Sequence, residues 1–212
     1  MIRVCILCEG QTEKAFVDEC LAPLLQTSSI YIYAELLGGN VSTQRIARFV
    51  RGSIKSVQYI TTFVDFYGFK NNNATSREAL ESEILTAVQA LFKNQDITQQ
   101  FRPYVQMYEF EGLLFTDVNE FEWVQDAWND EKHQQLQMIR DEFDNPEAIN
   151  NSKETAPSKR LEAIFGKQYC KVEHGPIIAD SIGVQRIREA CPNFHEWLSW
   201  LESLGTAPTK PE

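Results

Sequence analysis

The strongest constraint on the fold is a pair of nearly continuous apolar runs, residues 2–8 and 57–64, each followed at once by an acid, Glu9 and Asp65. A strand with one face in water alternates apolar and polar side chains, so an unbroken run marks a strand covered on both faces. Residues 30–37 and 104–108 read as further strands. Between them the apolar period is helical. Residues 12–25 place Phe16, Cys20 and Leu24 on one stripe with Val17 and Leu21 beside it, and residues 44–54 do the same with Ile46, Phe49, Val50 and Ile54. Thr75-Ser76-Arg77-Glu78 reads as a capping box opening a helix through Phe92. This alternation argues for an α/β core over residues 1–117, a mainly parallel sheet flanked by helices.

Beyond Asp117 the pattern turns helical and less regular. Helices are expected over residues 120–142, 158–165, 184–190 and 194–204, making a helical C-terminal extension over residues 118–205 that packs on the core. Residues 145–157 read as a loop, and 206–212 as a flexible tail. The tryptophans Trp123, Trp128, Trp197 and Trp200 fall in these helices and suit a core or a partner-facing surface.

Three predicted strands deliver acids to one place. In a parallel sheet the carboxyl ends of the strands line a single edge, where ligands bind. Glu9 follows the first strand, Asp65 the third, and Glu109 the fourth, with Glu111 two residues on. Glu13 falls in the first turn of the next helix, where the dipole favours an anion. Carboxylates crowded together repel, and a divalent cation with a taste for hard oxygen, Mg²⁺ or Mn²⁺, removes that cost. Acids at strand ends also serve as helix caps, so both readings stand at this point. Asp117 is a further candidate cap or support.

Net charge is −10, so a phosphate-bearing substrate requires a metal ion or a local basic patch. Arg45, Arg48, Arg51 and Lys55 share about a third of one helix's circumference, as a phosphate-facing stripe or an ordinary solvated face. Lys159-Arg160 at a helix start offers the same two readings. Cys5 and Cys8 spell C-x-x-C, but strand residues three apart face opposite ways and cannot share a metal. His133, His174 and His195 show no ligand spacing. The run before Glu9 is too short and too acidic at its end for a signal peptide, and no run is long enough to span a membrane, which points to the cytoplasm. The P-loop, dinucleotide-binding and nucleophile-elbow motifs are missing from the sequence.

Cys8-Glu9-Gly10-Gln11-Thr12-Glu13 and Val64-Asp65-Phe66-Tyr67-Gly68 resemble the Toprim fold of topoisomerases, bacterial primases and OLD-type nucleases. Residues 108–115 (Tyr-Glu-Phe-Glu-Gly-Leu-Leu-Phe), 155–161 (Thr-Ala-Pro-Ser-Lys-Arg-Leu) and Cys191-Pro192-Asn193-Phe194 narrow the resemblance to a bacterial Toprim-like group, domain-of-unknown-function family 4276. The resemblance implies a Toprim-like (Rossmann-like) sheet, a Mg²⁺ site on Glu9, Asp65 and Glu13, and phosphodiester chemistry on DNA or RNA. It further implies an AAA- or ABC-type ATPase partner encoded nearby, as in anti-phage systems. Tyr67 departs from the pattern, because Toprim proteins usually carry a second Asp there.

The expectation is therefore a Mg²⁺-dependent nuclease. Glu9, Asp65, Glu109 and Glu111 hold metal; Glu9, Glu13 and Asp65 are catalytic; Lys159, Arg160, Arg45 and Arg48 contact phosphate. A regulatory subunit with a degenerate site, favoured by Tyr67 and the acidic balance, is the first alternative. A hydrolase of small phosphates is the second.

Overall fold

The structure is a computed structural model that describes residues 1–70, 73–150 and 152–206, with Thr206 described by its backbone alone. Strand β1 (Ile2–Cys8) leads into α1 (Gln11–Phe16), a π turn (Val17–Leu21) and α2 (Ala22–Gln26), then β2 (Ile30–Leu36) and α3 (Thr43–Ser53). The wide π turn precedes Pro23, which has no N–H to donate to the preceding turn. Next come β3 (Tyr59–Asp65), α4 (Arg77–Gln89), β4 (Phe101–Arg102), β5 (Val105–Gln106) and α5 (Glu111–Leu114). A 3-10 stretch (Val118–Ala127) and α6 (Asp130–Asp141), α7 (Pro157–Phe165), α8 (Lys171–Ile182), α9 (Val184–Ala190) and α10 (Pro192–Thr206) complete the described chain. Residues 207–212 of the expected tail lie outside it.

The strands run in the order β2-β1-β3-β4, with β5 paired to the far end of β3, and every pairing is parallel. Both faces are covered, as the apolar runs require. Cys5, Leu7, Ile60 and Val64 pack against Ile46, Val50, Leu80 and Ile84 of α3 and α4. Val4, Ile6, Cys8 and Phe63 share one cluster with Phe16, Phe110, Ile178, Phe194 and Trp197. Cys5 and Cys8 thus sit on opposite faces, both buried and unbridged. Phe63, Tyr104 and Trp197 stack at 4.7–5.7 Å between ring centroids, and the Trp197 indole donates to Thr61 Oγ1 at 3.0 Å.

Four elements differ from the sequence expectation. The strand expected at 104–108 is only the two-residue β5, and an unexpected strand, β4, precedes it across Pro103, which has no N–H for the ladder. The Thr62 hydroxyl fills the gap, donating to Tyr104 O at 2.7 Å and accepting from Tyr104 N at 2.9 Å. The helix expected over 120–142 breaks at Gln125 (φ 45°), and Asn129 caps a new one by accepting from Lys132 N at 3.0 Å. Helix α8, unexpected across Gly175-Pro176, is continuous. The cap of α4 is Ser76 rather than Thr75, with Ser76 Oγ accepting from Ala79 N. Among the described residues no helix is long and apolar enough to cross a membrane.

Candidate metal and phosphate site

The carboxyl ends of β1, β3 and β5 meet as the parallel pairing demands, with Asp65 opposite Gln106. Glu9 follows β1 directly, and Asp65 is the last residue of β3. Glu109 and Glu111 arrive differently from expectation. Strand β5 stops at Gln106, and the chain turns through Tyr108 (φ 20°) before Glu109 and the first residue of α5, Glu111.

Three of the five acids are each held by a distinct contact. Glu13, 4% exposed, reaches back from the first turn of α1 and accepts the Gly10 N–H at 2.8 Å. Asp65 Oδ1 accepts from Phe110 N at 2.9 Å, tying β3 to the start of α5. Glu109 Oε2 accepts from Ser158 N at 2.8 Å, tying the same turn to α7. Glu9 Oε2 and Glu111 Oε1 are buried without a hydrogen-bond partner.

Electrostatics show that the acids form one group. Burial raises the Asp65 pKa well above the usual carboxylate range, and Glu13, Glu111, Glu9 and Glu109 add to the rise. Burial, then Glu13, pushes Glu9 upward against a smaller opposing pull from Lys171. Burial lifts Glu111 to about 7, with Lys171 pulling it down and Glu109 pushing it up. Lys171, at the start of α8, is the counter-charge. Desolvation lowers its pKa, but Glu111, Asp65, Glu13 and Glu109 together raise it further.

Five carboxylates and one ammonium are therefore gathered at one sheet edge. The donor set suits a hard divalent cation, and the free oxygens on Glu9 and Glu111 give it somewhere to bind. Yet among the described residues no three His, Cys, Asp or Glu side chains are grouped as a metal-holding set. Asp65, Glu13 and Glu109 each face a backbone N–H instead, so joint coordination requires side chains to turn.

The expected phosphate contacts divide. Lys159 lines a cavity of about 580 Å³ beside Glu111, together with Ser158, Lys167, Tyr169 and Lys171. Arg160 donates to Thr155 O at 2.7 Å, lies 3.9 Å from Glu142, and stacks over Phe143. Arg45 donates to the carbonyls of Leu37, Gly39 and Asn40, bracing a loop whose Gly39 N donates to Glu9 O at 3.3 Å. Arg48 donates to Gln44 O within its own helix, at 3.3 Å. Asp117 caps the 3-10 stretch and pairs with Arg186. Tyr67 accepts from Asn150 Nδ2 at 2.7 Å, with the Lys153 ammonium 5.5 Å from its ring centre.

Sequence reasoning missed Lys171, because Gly175-Pro176 hid the helix that begins there, and passed over Lys167 and Tyr169 in the turn before it. It also passed over Glu147, a buried acid outside the cluster that caps α10 by accepting from Asn193 N and Phe194 N at 2.8 and 3.1 Å.

Residues 8–202 match the family model of a domain of unknown function, DUF4276. The chain belongs to that family. The DUF4276 match takes in all five acids and Lys171. The chain is similar in structure to the C-terminal region of the OLD protein of Xanthomonas campestris pv. campestris. That likeness is 18% identical, spans 96% of this chain and 97% of the other, and has a TM-score of 0.45. None of the curated proteins compared with the chain matches it.

Proposed function

We propose that this DUF4276 chain is a Toprim-type, Mg²⁺-dependent nuclease that hydrolyses phosphodiesters of DNA or RNA, working with an AAA- or ABC-type ATPase in an anti-phage system. The observation that carries this reading is the gathering of Glu9, Glu13, Asp65, Glu109 and Glu111 beside a lysine-lined cavity. Self-repelling buried acids are costly to a fold, and clusters with displaced pKa values concentrate at functional sites.

Glu9, Asp65, Glu109 and Glu111 would hold Mg²⁺ or Mn²⁺, which when bound offsets charge on the phosphoryl oxygens and acidifies a water. An acid of the cluster left free by the cation would accept the proton of the attacking water. Glu13 is pinned on Gly10 N and keeps the neighbouring charge in place. Lys171 and Lys159 steady the phosphoryl group from the cavity side. Neither Arg45 nor Arg160 is given a phosphate role here, since both guanidiniums are engaged by backbone carbonyls.

A second reading, a regulatory subunit, draws on one observation: Lys171 already supplies a counter-charge to acids that do not converge as ligands. Thermal melting with Mg²⁺ or Mn²⁺ separates the two. Cation at 100 times its dissociation constant stabilises the native state by about 2.7 kcal/mol, and a chain of this size melts about 5–10 °C higher. Glu9→Gln abolishes that rise. Plasmid, single-stranded DNA, RNA and small phosphate esters, each with and without the neighbouring ATPase, then identify the substrate. A wild-type melting point indifferent to both cations sinks the nuclease reading and leaves the regulatory one.

A further inference from the structure

The cavity beside the acids has a buried floor and a basic rim. On the floor, Glu111 Oε1 and the Tyr169 hydroxyl are both buried without a hydrogen-bond partner. The Tyr169 ring is fixed from two sides, stacked on His174 at 5.8 Å and against Phe165 at 6.5 Å. Lys159, Lys167 and Lys171 form the rim, all exposed. Lys159 is paired with Glu162 at 2.7 Å, and Lys171 faces the acids, whereas Lys167 has no hydrogen-bond or ion-pair partner among the described residues.

Other cations of this acidic chain are taken up elsewhere. Arg77 pairs with Glu78, Glu81 and Glu196, Arg102 with Glu196, and Arg188 with Glu202. Arg51 and Lys55 line a separate cavity with Leu91 and Phe92. A groove that follows a nucleic-acid backbone spreads its basic groups along the strand. Here three lysines line one cavity instead. An internal phosphodiester brings a single negative charge, while a phosphomonoester brings about 1.5 to 2 at neutral pH and three strong acceptor oxygens. A buried hydroxyl awaiting a partner and three point-charge donors match the second group.

We propose that this cavity binds the terminal phosphomonoester of a nucleic-acid strand and so positions the strand, by its phosphorylated end, over the neighbouring acids. The substrate class rests on the nuclease reading above; the phosphate site does not. The test is binding by fluorescence anisotropy, with the full chain and without divalent cation. The probes are internally labelled single-stranded oligonucleotides of one sequence, bearing a 5′-phosphate, a 3′-phosphate, or hydroxyls at both ends, together with a 5′-mononucleotide as competitor. One of the two phosphorylated strands binds about tenfold tighter than the hydroxyl-ended strand, as charge-assisted hydrogen bonds require. Lys167→Gln and Tyr169→Phe, which keep the surrounding packing, each remove most of that advantage while the melting temperature holds.

Equal affinity for phosphorylated and hydroxyl-ended strands overturns the proposal, as does an advantage unchanged in both variants. A mononucleotide that competes as strongly as the phosphorylated strand assigns the cavity to free nucleotides and overturns the strand-end assignment. Because binding is read without cation, its failure is separable from failure of the nuclease reading. Cleavage with no end preference removes this inference alone, and end preference with no cleavage removes the nuclease alone.

Discussion

Gly68 has no room for a side chain. A Cβ there would lie 1.9 Å from Glu9 Oε2, because the Glu9 carboxylate is seated against the turn that follows Asp65. Only the flexible end of Glu9 stands in the way, so Gly68→Ala swings that carboxylate out of its seat at little cost in stability and weakens the response of the melting temperature to Mg²⁺. Gly52, within α3, is the control: a Cβ meets nothing within 4 Å, so Gly52→Ala gains about 0.5–1 kcal/mol of helix stability. Urea denaturation measures the Gly52→Ala gain, and thermal melting with Mg²⁺ reads Gly68→Ala; a Mg²⁺-dependent rise as large as in wild type would show that Glu9 does not work from a seat against Gly68. Glu9 and Asp65 were legible in the sequence because strand ends in a parallel sheet share an edge, whatever lies between them in the chain, whereas Glu109 and Glu111 reach that edge through a turn beyond β5. Their contacts were not legible. Nothing in the spacing of Asp65 and Phe110, or of Glu109 and Ser158, announces that a carboxylate at one meets the backbone N–H of the other.

Elements with unbroken apolar runs or a clean helical period were readable: β1 matches its expected bounds, and α3 falls within one residue of them. Those whose boundaries depend on a local device were not, as with the Pro103 gap bridged by Thr62 and the new cap at Asn129. Helix α8 is the consequential case. Its Gly175-Pro176 pair reads as a break, yet Gly175 is where α8 closes on α1 and α5: a Cβ there would meet Thr12 Cγ2 at 2.9 Å and Phe110 Cε1 at 3.3 Å. Lys171 lies four residues earlier, on the same helical face, so this close approach also brings its ammonium to the acids. Gly175→Ala forces the helices apart. A loss of about 1–3 kcal/mol in urea denaturation is expected, accompanied by weaker binding of the phosphorylated oligonucleotide as Lys171 moves away. Unchanged stability in this variant would mean that α8 does not pack on α1 through Gly175.

For the whole molecule, the sequence indicated a parallel sheet covered on both faces, but not how the C-terminal helices complete the site. Covering β1 and β3 with α1, α8 and α10 buries acids as well as apolar side chains, and that shapes the response of stability to pH. Asp65, Glu111 and Glu9 have pKa values raised in the folded state, Glu111 to about 7, and the buried Glu81, outside the cluster, is also raised to about 7. Between the ordinary carboxylate value and about 7 the folded chain therefore holds more protons than the unfolded one, so stability falls as pH rises through this range. Each such group contributes a slope of at most about 1.4 kcal/mol per pH unit. Glu78 and Asp117, with lowered values, act oppositely, but their stabilisation is complete once the pH is above the ordinary carboxylate value. Without divalent cation, urea denaturation should show the chain more stable near pH 6 than at pH 8, with a shallower decline in Glu111→Gln. Saturating Mg²⁺ should recover more stability at pH 8 than at pH 6, because the cation competes with protons for the same oxygens. Stability that climbs steadily from pH 6 to 8 in the absence of cation would mean that these carboxylates are not buried together in solution.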